Sequence, residues 1–271
     1  MSITCLVLAA AAATVRAEDL VRDRQMPRIT LRAGLYDVDA STVIRVDGTL
    51  GFLGTTFNLE RSLGVPDEQD TWFASGRFRL ADRHFVEAEF FRLNRRGLKE
   101  LSTEIEFGDR TYSFGATVRS FFGVDVTRLG YAYSLVRQKS WGLAASAGLH
   151  VTGIDAGLSE ILTSGGAISA TNVQIAKATA PLPVVGVSGA VALGPRWALF
   201  GRGQIFRLQF DQTEGALDHF SISLENDLGN HFGWGIAYDY FEIDVRQRER
   251  LWRGHAKVRF QGPLIFAKLN F

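Results

Sequence analysis

The stretch from Leu251 to Phe271, LWRGHAKVRFQGPLIFAKLNF, limits the possible folds more than any other. Trp252, Gly254, Ala256, Val258 and Phe260 share one parity, and Arg253, His255, Lys257 and Arg259 share the other. A period of two is the period of a β-strand, whose side chains point alternately to opposite faces. The alternation then resumes on the opposite parity, with Ile265, Ala267, Leu269 and Phe271 apolar against Lys268 and Asn270. Gln261-Gly262-Pro263 between the two halves predicts a bulge, a place where a strand tolerates proline. A strand that finishes on a large ring needs somewhere to bury it. A closed barrel in lipid supplies that place, because it has no edge and hydrocarbon surrounds its outer face.

The other end reads differently. Ile3 to Val15 is a run of apolar and small residues, too short to span a bilayer but suited to a signal peptide. Residues 1–17 are the expected signal, with Val15-Arg16-Ala17 at the cleavage site, and residues 18–271 the mature domain. Cys5 falls within the signal, so the mature chain would carry no cysteine. Beyond it no apolar run reaches eighteen residues, although 46% of the chain is hydrophobic. Membrane placement therefore has to come from pattern, as it does for transmembrane β-barrels. Removing residues 1–17 takes away one arginine and no acid, leaving 29 basic and 29 acidic side chains. That neutrality argues against nucleic-acid binding.

Alternating segments recur along the whole chain. Ile29, Leu31, Ala33 and Leu35 alternate with Arg28, Thr30, Arg32 and Gly34, and Thr42 to Val46 continues the strand past Asp37-Val38-Asp39. A second strand is expected from Thr55 to Leu80, interrupted between Glu60 and Asp70, with Trp72 to Leu80 outward on even positions and Ser75, Arg77 and Arg79 inward. A third sends Val86, Ala88 and Phe90 outward and Glu87 and Glu89 inward. The fourth, Tyr112 to Leu135, changes phase near Thr127, which predicts a bulge. Leu143 to Val151 is the fifth, and residues 155–181, rich in Ser, Thr, Ala and Gly, read as one long loop. Strands at Val185 to Leu193, from Trp197, at Phe220 to Glu225 and at Phe232 to Tyr240 precede the terminal one.

The reversals at 81–83, 137–140, 194–196 and 228–230 are short, and the connections between them include longer ones. Short periplasmic turns alternating with longer outer loops are the outer-membrane arrangement. Trp141, Trp197, Tyr131 and Tyr133 sit beside those turns, where an interfacial girdle belongs. The expected fold is all-β, a transmembrane antiparallel up-and-down β-barrel of ten strands, with eight and twelve as alternatives. The signal-like start, Phe57-Asn58-Leu59-Glu60 with Leu63-Gly64-Val65, and the closing PLIFAKLNF resemble outer-membrane β-barrel proteins of Gram-negative bacteria. More narrowly, the chain is similar to a group of functionally uncharacterised proteobacterial barrels. The resemblance implies a bacterial outer-membrane location among lipid and lipopolysaccharide. It also implies that Phe271 is the assembly signal recognised by the barrel-insertion machinery. Oligomeric state and physiological role do not follow from it.

The inward faces suggest the chemistry. Arg253, His255, Lys257 and Arg259 would join Arg28, Arg32, Arg77 and Arg79 in a basic sector across the closing seam. Glu87, Glu89, Glu225 and Asp239 would oppose it. Three functions fit this interior. A lumen filled by paired charges suits a structural or adhesive barrel, or modest passage of small solutes. An excess of cations would suit a narrow anion-leaning pore. A third possibility is a lipid A acyl hydrolase: His219 and Ser221 share a face, a spacing similar to that of outer-membrane lipid A deacylases, and a base beside a hydroxyl is what acyl transfer needs. Asp37, Asp39 and Asp244 near the outer rim are similar to the rim carboxylates of outer-membrane proteases. No metal constellation, phosphate loop or cofactor signature is expected.

Overall fold

The structure, a computed structural model, describes residues 27–48, 53–164, 167–210, 213–248 and 253–271. The expected signal at 1–17, with Cys5, and Trp252 lie outside the described residues. In chain order the elements are β1 (Ile29–Val46), β2 (Phe57–Asn58), α1 (Leu59–Leu63), β3 (Glu68–Ala81), β4 (His84–Glu100), β5 (Ile105–Phe107), β6 (Arg110–Tyr112), β7 (Thr117–Arg137), β8 (Trp141–Ser164), β9 (Ala167–Ala192), β10 (Trp197–Phe210), β11 (Thr213–Asp227), β12 (Phe232–Arg248) and β13 (Arg253–Asn270). β1, β3, β4 and β7 to β13 each pair antiparallel with the next, and β13 pairs back onto β1. The result is a closed ten-stranded barrel. At the seam Ile29 N–H donates to the Phe271 carbonyl at 2.9 Å, and Phe271 N–H donates to the Ile29 carbonyl at 2.9 Å.

β1, β4, β7, β12 and β13 each keep one phase, but what they present to either side inverts partway up. On β1, Leu31 and Leu35 face out and Thr30 and Arg32 face in. Further along, Tyr36, Val38, Ala40, Ile44 and Val46 are the buried inward residues, while Asp37, Asp39 and Arg45 face out. β4 changes after Phe90, β7 between Leu129 and Asp125, and β12 between Tyr240 and Glu242. Below the change lies an exposed apolar belt that includes Leu31, Trp72, Leu80, Leu129, Val187, Ile222, Trp234 and Ile265. Its Trp72–Leu80 portion on β3 is nine residues long. That is close to the roughly 9–11 residues a tilted strand needs to cross a bilayer. A belt this continuous suits lipid, not water. Above it, the barrel encloses an apolar core of the kind found in soluble proteins.

This inversion corrects several expectations. β7 pairs with β4 in one unbroken register from Thr117 to Tyr133, and its register shift against β8 falls between Ser134 and Val136, not at Thr127. β13 runs through Gly262-Pro263 without a bulge, in continuous register with β12. The apparent changes of phase are changes of surroundings. Arg253, His255, Lys257 and Arg259 therefore point outward above the belt, and Ala256, Val258 and Phe260 fill the lumen at 1% exposure or less. The surroundings at that height are polar and no longer hydrocarbon, so the cations belong there. Among the described residues, 155–164 and 167–181 are strand and not loop. They extend the β8–β9 ladder, whose register shifts once between Leu158 and Glu160, and Ile154, Ala156 and Leu158 keep facing the core. At Gly262 (φ +152°) a Cβ would stand 2.0 Å from the Asp37 carbonyl oxygen, so the closely packed seam requires glycine there.

Phe271 ends the chain with its ring outward and 59% exposed. Deleting it should cut the yield of folded barrel several-fold in membrane fractions, because the seam loses both terminal hydrogen bonds and a lipid-facing ring. Parent levels of folded barrel would refute that role.

Candidate functional site

The lumen is the place where function could reside, and it has three storeys. The lowest is polar. Glu87 from β4 accepts from Arg77 on β3 at 2.7 Å and from Arg128 on β7 at 3.2 Å. Glu89 accepts from Arg202 on β10 at 2.8 Å and lies 3.7 Å from Arg128. Arg128, only 2% exposed, thus joins the two carboxylates. A second cluster centres on Glu225 of β11, which holds Arg32 at 3.0 Å and Lys268 at 2.9 Å, and Lys268 also reaches Asp227 at 2.6 Å. Gly and Ala on the facing walls leave room for these long side chains to cross the lumen. A buried cation without its carboxylate would be costly, so the pairs hold one another in place.

The middle storey is a septum of rings. Phe91 of β4 sits edge-on to Tyr36 at 5.9 Å, to Phe241 at 6.2 Å and to Phe260 at 6.0 Å, and Phe241 stacks on Phe260 at 6.2 Å. His150 of β8 stacks on Phe241 at 5.9 Å, and His219 of β11 meets the same ring edge-on at 5.8 Å. Six strands contribute, so the ring contacts run from one wall to the other. Edge-to-face and offset pairs of this kind add to the burial of the rings themselves.

The top storey closes the outer mouth. β3 begins only at Glu68, so beyond Asp39 no long strand links β1 to β4. β2 and α1 fill that gap. Asn58 caps α1 by accepting from Arg61 N–H at 2.8 Å, and Gly64 ends it in the left-handed conformation (φ 64°). Arg95, 1% exposed, fastens the insert. Its guanidinium donates to Glu60 at 2.7 Å, to the Pro66 carbonyl at 3.0 Å and to Thr42 Oγ1 at 2.6 Å. The β5–β6 hairpin folds over beside it, burying Ile105, Phe107 and Tyr112. The Tyr112 hydroxyl lies 3.1 Å from the Leu158 carbonyl and 2.6 Å from that of Asn172, and burial pushes this phenol up to about 12.

Of the residues singled out by sequence, Arg32, Arg77, Glu87, Glu89, Glu225 and Asp239 do meet in the lumen. Arg79 shares the inner face with Arg77, whereas Arg28 is exposed, its guanidinium over the Phe78 ring at 5.6 Å. The seam cations do not reach Glu87 or Glu89. Lys257 pairs with Glu242 at 3.0 Å and His255 with Asp244 at 3.0 Å, all on the outer wall. Asp37 and Asp39 lie on the same outer wall. His219 Nε2 is 3.0 Å from Asp239, but the imidazole is 2% exposed and its Nδ1 finds no partner, Ser221 included. Sequence reasoning did not join Arg128 to Arg202 through Glu89, nor His150 to Gln204, whose Oε1 lies 3.2 Å from the His150 Nε2. Arg128 was obscured by the supposed phase change at Thr127. Arg202 was obscured by the weak pattern of β10, where outward Gly201 and Gly203 dilute the alternation.

No protein-family model matches the sequence, and no curated protein matches it. Among solved structures, it is similar to the outer membrane protease OmpT of Escherichia coli, with TM-score 0.58 and 9% identity over 93% of this chain and 100% of that one. The translocator domain of the autotransporter NalP from Neisseria meningitidis gives TM-score 0.45 and 10% identity over 99% and 98% of the two chains. The attachment invasion locus protein Ail of Yersinia pestis gives 0.35 and 10% over 91% and 100%. The belt, the closed ring and the first of these likenesses define the fold class: a transmembrane β-barrel of the Gram-negative outer-membrane type. At such low identity the likeness concerns fold alone, and a fold by itself assigns no activity.

Proposed function

We propose that the protein is a closed, non-conducting outer-membrane barrel with a structural or adhesive role, its rigid β-walled upper half carried above the membrane. The septum of Tyr36, Phe91, Phe241, Phe260, His150 and His219 carries this reading, since it crosses the lumen between a charge-filled floor and a capped mouth. Water and ions have no polar path through stacked rings. The fit with either an anion-leaning pore or solute passage is poorer for the same reason. In planar bilayers the purified barrel should show no steady conductance, and the triple variant Phe91→Ala, Phe241→Ala, Phe260→Ala should conduct. Steady parent conductance would overturn the closed-barrel reading.

The hydrolase reading draws support from the His219–Asp239 pair, but a deeply buried imidazole offers no route to an acyl chain. Lipid A from cells producing the protein should keep all its acyl chains, with or without His219→Ala. We further propose lipopolysaccharide and the barrel-insertion machinery as its partners, with Phe271 as the assembly signal and no cofactor required.

A further inference from the structure

We propose that the outer face of β4 and β7 above the belt binds an anionic saccharide, the phosphorylated core sugars of lipopolysaccharide standing beside the barrel. The inference rests on the outer-membrane placement and deepens the reading of the upper wall as an interaction surface. Arg96 stands directly opposite Phe121, and Leu98 directly opposite Arg119. All four point outward, so they form a two-by-two panel of two guanidinium groups and two apolar side chains. Leu98 is 61% exposed and Phe121 37% exposed, in a zone where the outside is no longer hydrocarbon.

The ring of Phe121 lies over a glycine of the neighbouring strand. A Cβ on the neighbouring Gly157 would stand 2.1 Å from Phe121 Cε1, so the glycine makes the floor on which the ring lies. The ring remains partly exposed to the surroundings. A flat aromatic face packs against the C–H face of a sugar ring, and a guanidinium fork grips a phosphate through two hydrogen bonds.

The arginines are available for this. Arg92, on the same outer face, is paired with Asp125, and Arg45, Arg207 and Arg246 each have a carboxylate. Arg96 and Arg119 have none within ion-pair distance among the described residues.

Height selects the partner. Arg96 is six residues beyond Phe90, the top of the belt on β4, and Phe121 is eight beyond Leu129 on β7. At about 3.3 Å per residue and a tilt of about 40°, the panel stands roughly 15–20 Å above the belt. The panel also faces sideways, so it addresses the phosphorylated sugars that fill this layer in a Gram-negative outer leaflet, not a partner arriving from above.

The test uses the full-length barrel in detergent micelles and lipid-free core oligosaccharide released from lipopolysaccharide, with saturation-transfer NMR and calorimetry as readouts. Parent protein should bind the phosphorylated core, with binding weakened tenfold or more by Arg96→Ala with Arg119→Ala. Phe121→Ala should weaken it several-fold, and enzymatic removal of the core phosphates should have a comparable effect. Arg246→Ala, elsewhere on the wall, should change nothing, and retained heat-modifiability will show that each variant is folded. Equal binding by the double variant, equal binding of the dephosphorylated core, or equal binding of a heparin oligosaccharide would each overturn the assignment. The outcome is separate from the conductance test, which reads the lumen and not this face.

Discussion

Replacing Glu87 and Glu89 together by alanine should lower the unfolding temperature of the barrel steeply while leaving it electrically silent. Arg77 and Arg128 lose Glu87, and Arg128 and Arg202 lose Glu89. Removing one partner of a buried pair costs about 3–5 kcal/mol, because the stranded charge cannot be rehydrated where it sits. The two losses share Arg128, so the double variant should fall short of the sum of the single ones. Silence is expected because the rings above the charges are untouched. The measurement is the temperature at which the compact band converts to the unfolded one on detergent gels. Parent-like heat resistance would mean that the three arginines find other acceptors, and the floor would not be held as described.

Arg95→Ala should release the mouth. Glu60 would keep only the Thr42 N–H at 3.1 Å, and the Pro66 carbonyl and Thr42 hydroxyl would lose a charged donor. The expected loss is again about 3–5 kcal/mol. Adding Glu60→Ala should recover part of it, because the stranded carboxylate goes too. Because α1 merely bridges a gap in the wall, the damage should be local: trypsin should cut after Arg61 at least tenfold faster than in the parent, with the belt strands still protected. Unchanged cleavage would remove Arg95 from its role as the fastening.

Strand existence, count, short turns and belt were legible because each depends on period and local turn chemistry, which neighbours cannot alter. The direction in which a strand faces was legible only where lipid lies outside. Leu31 and Leu35 were placed correctly, since hydrocarbon outside and ion pairs inside give apolar-out alternation. Val258 and Phe260 were reversed, since above the belt the outside is polar and the core is apolar, and the same alternation then means apolar-in. Nothing in Arg253 to Arg259 marks the height at which they stand; the cross-strand partners Glu242 and Asp244 do, and pairing is a property of the closed sheet. The septum was illegible for a related reason. Tyr36, Phe91, Phe241 and Phe260 come from four separate strands, and their meeting depends on barrel shear. Arg95 could have been suspected as an inward arginine in an apolar run, Phe91-x-Leu93-x-Arg95, had that inward parity been known.

The inversion of the wall has a thermodynamic consequence. In a barrel whose apolar surface all faces lipid, unfolding within a membrane or micelle exposes little hydrocarbon to water, so its heat-capacity increment is small. Here the upper half buries Val118, Phe122, Leu93, Ile243 and their neighbours away from water, as a soluble domain does. Its stability should therefore curve with temperature and weaken on cooling, while the lower half, held by lipid and ion pairs, should not. A single continuous set of strands is thus stabilised by two solvents with different temperature laws, and the upper half should loosen first in the cold.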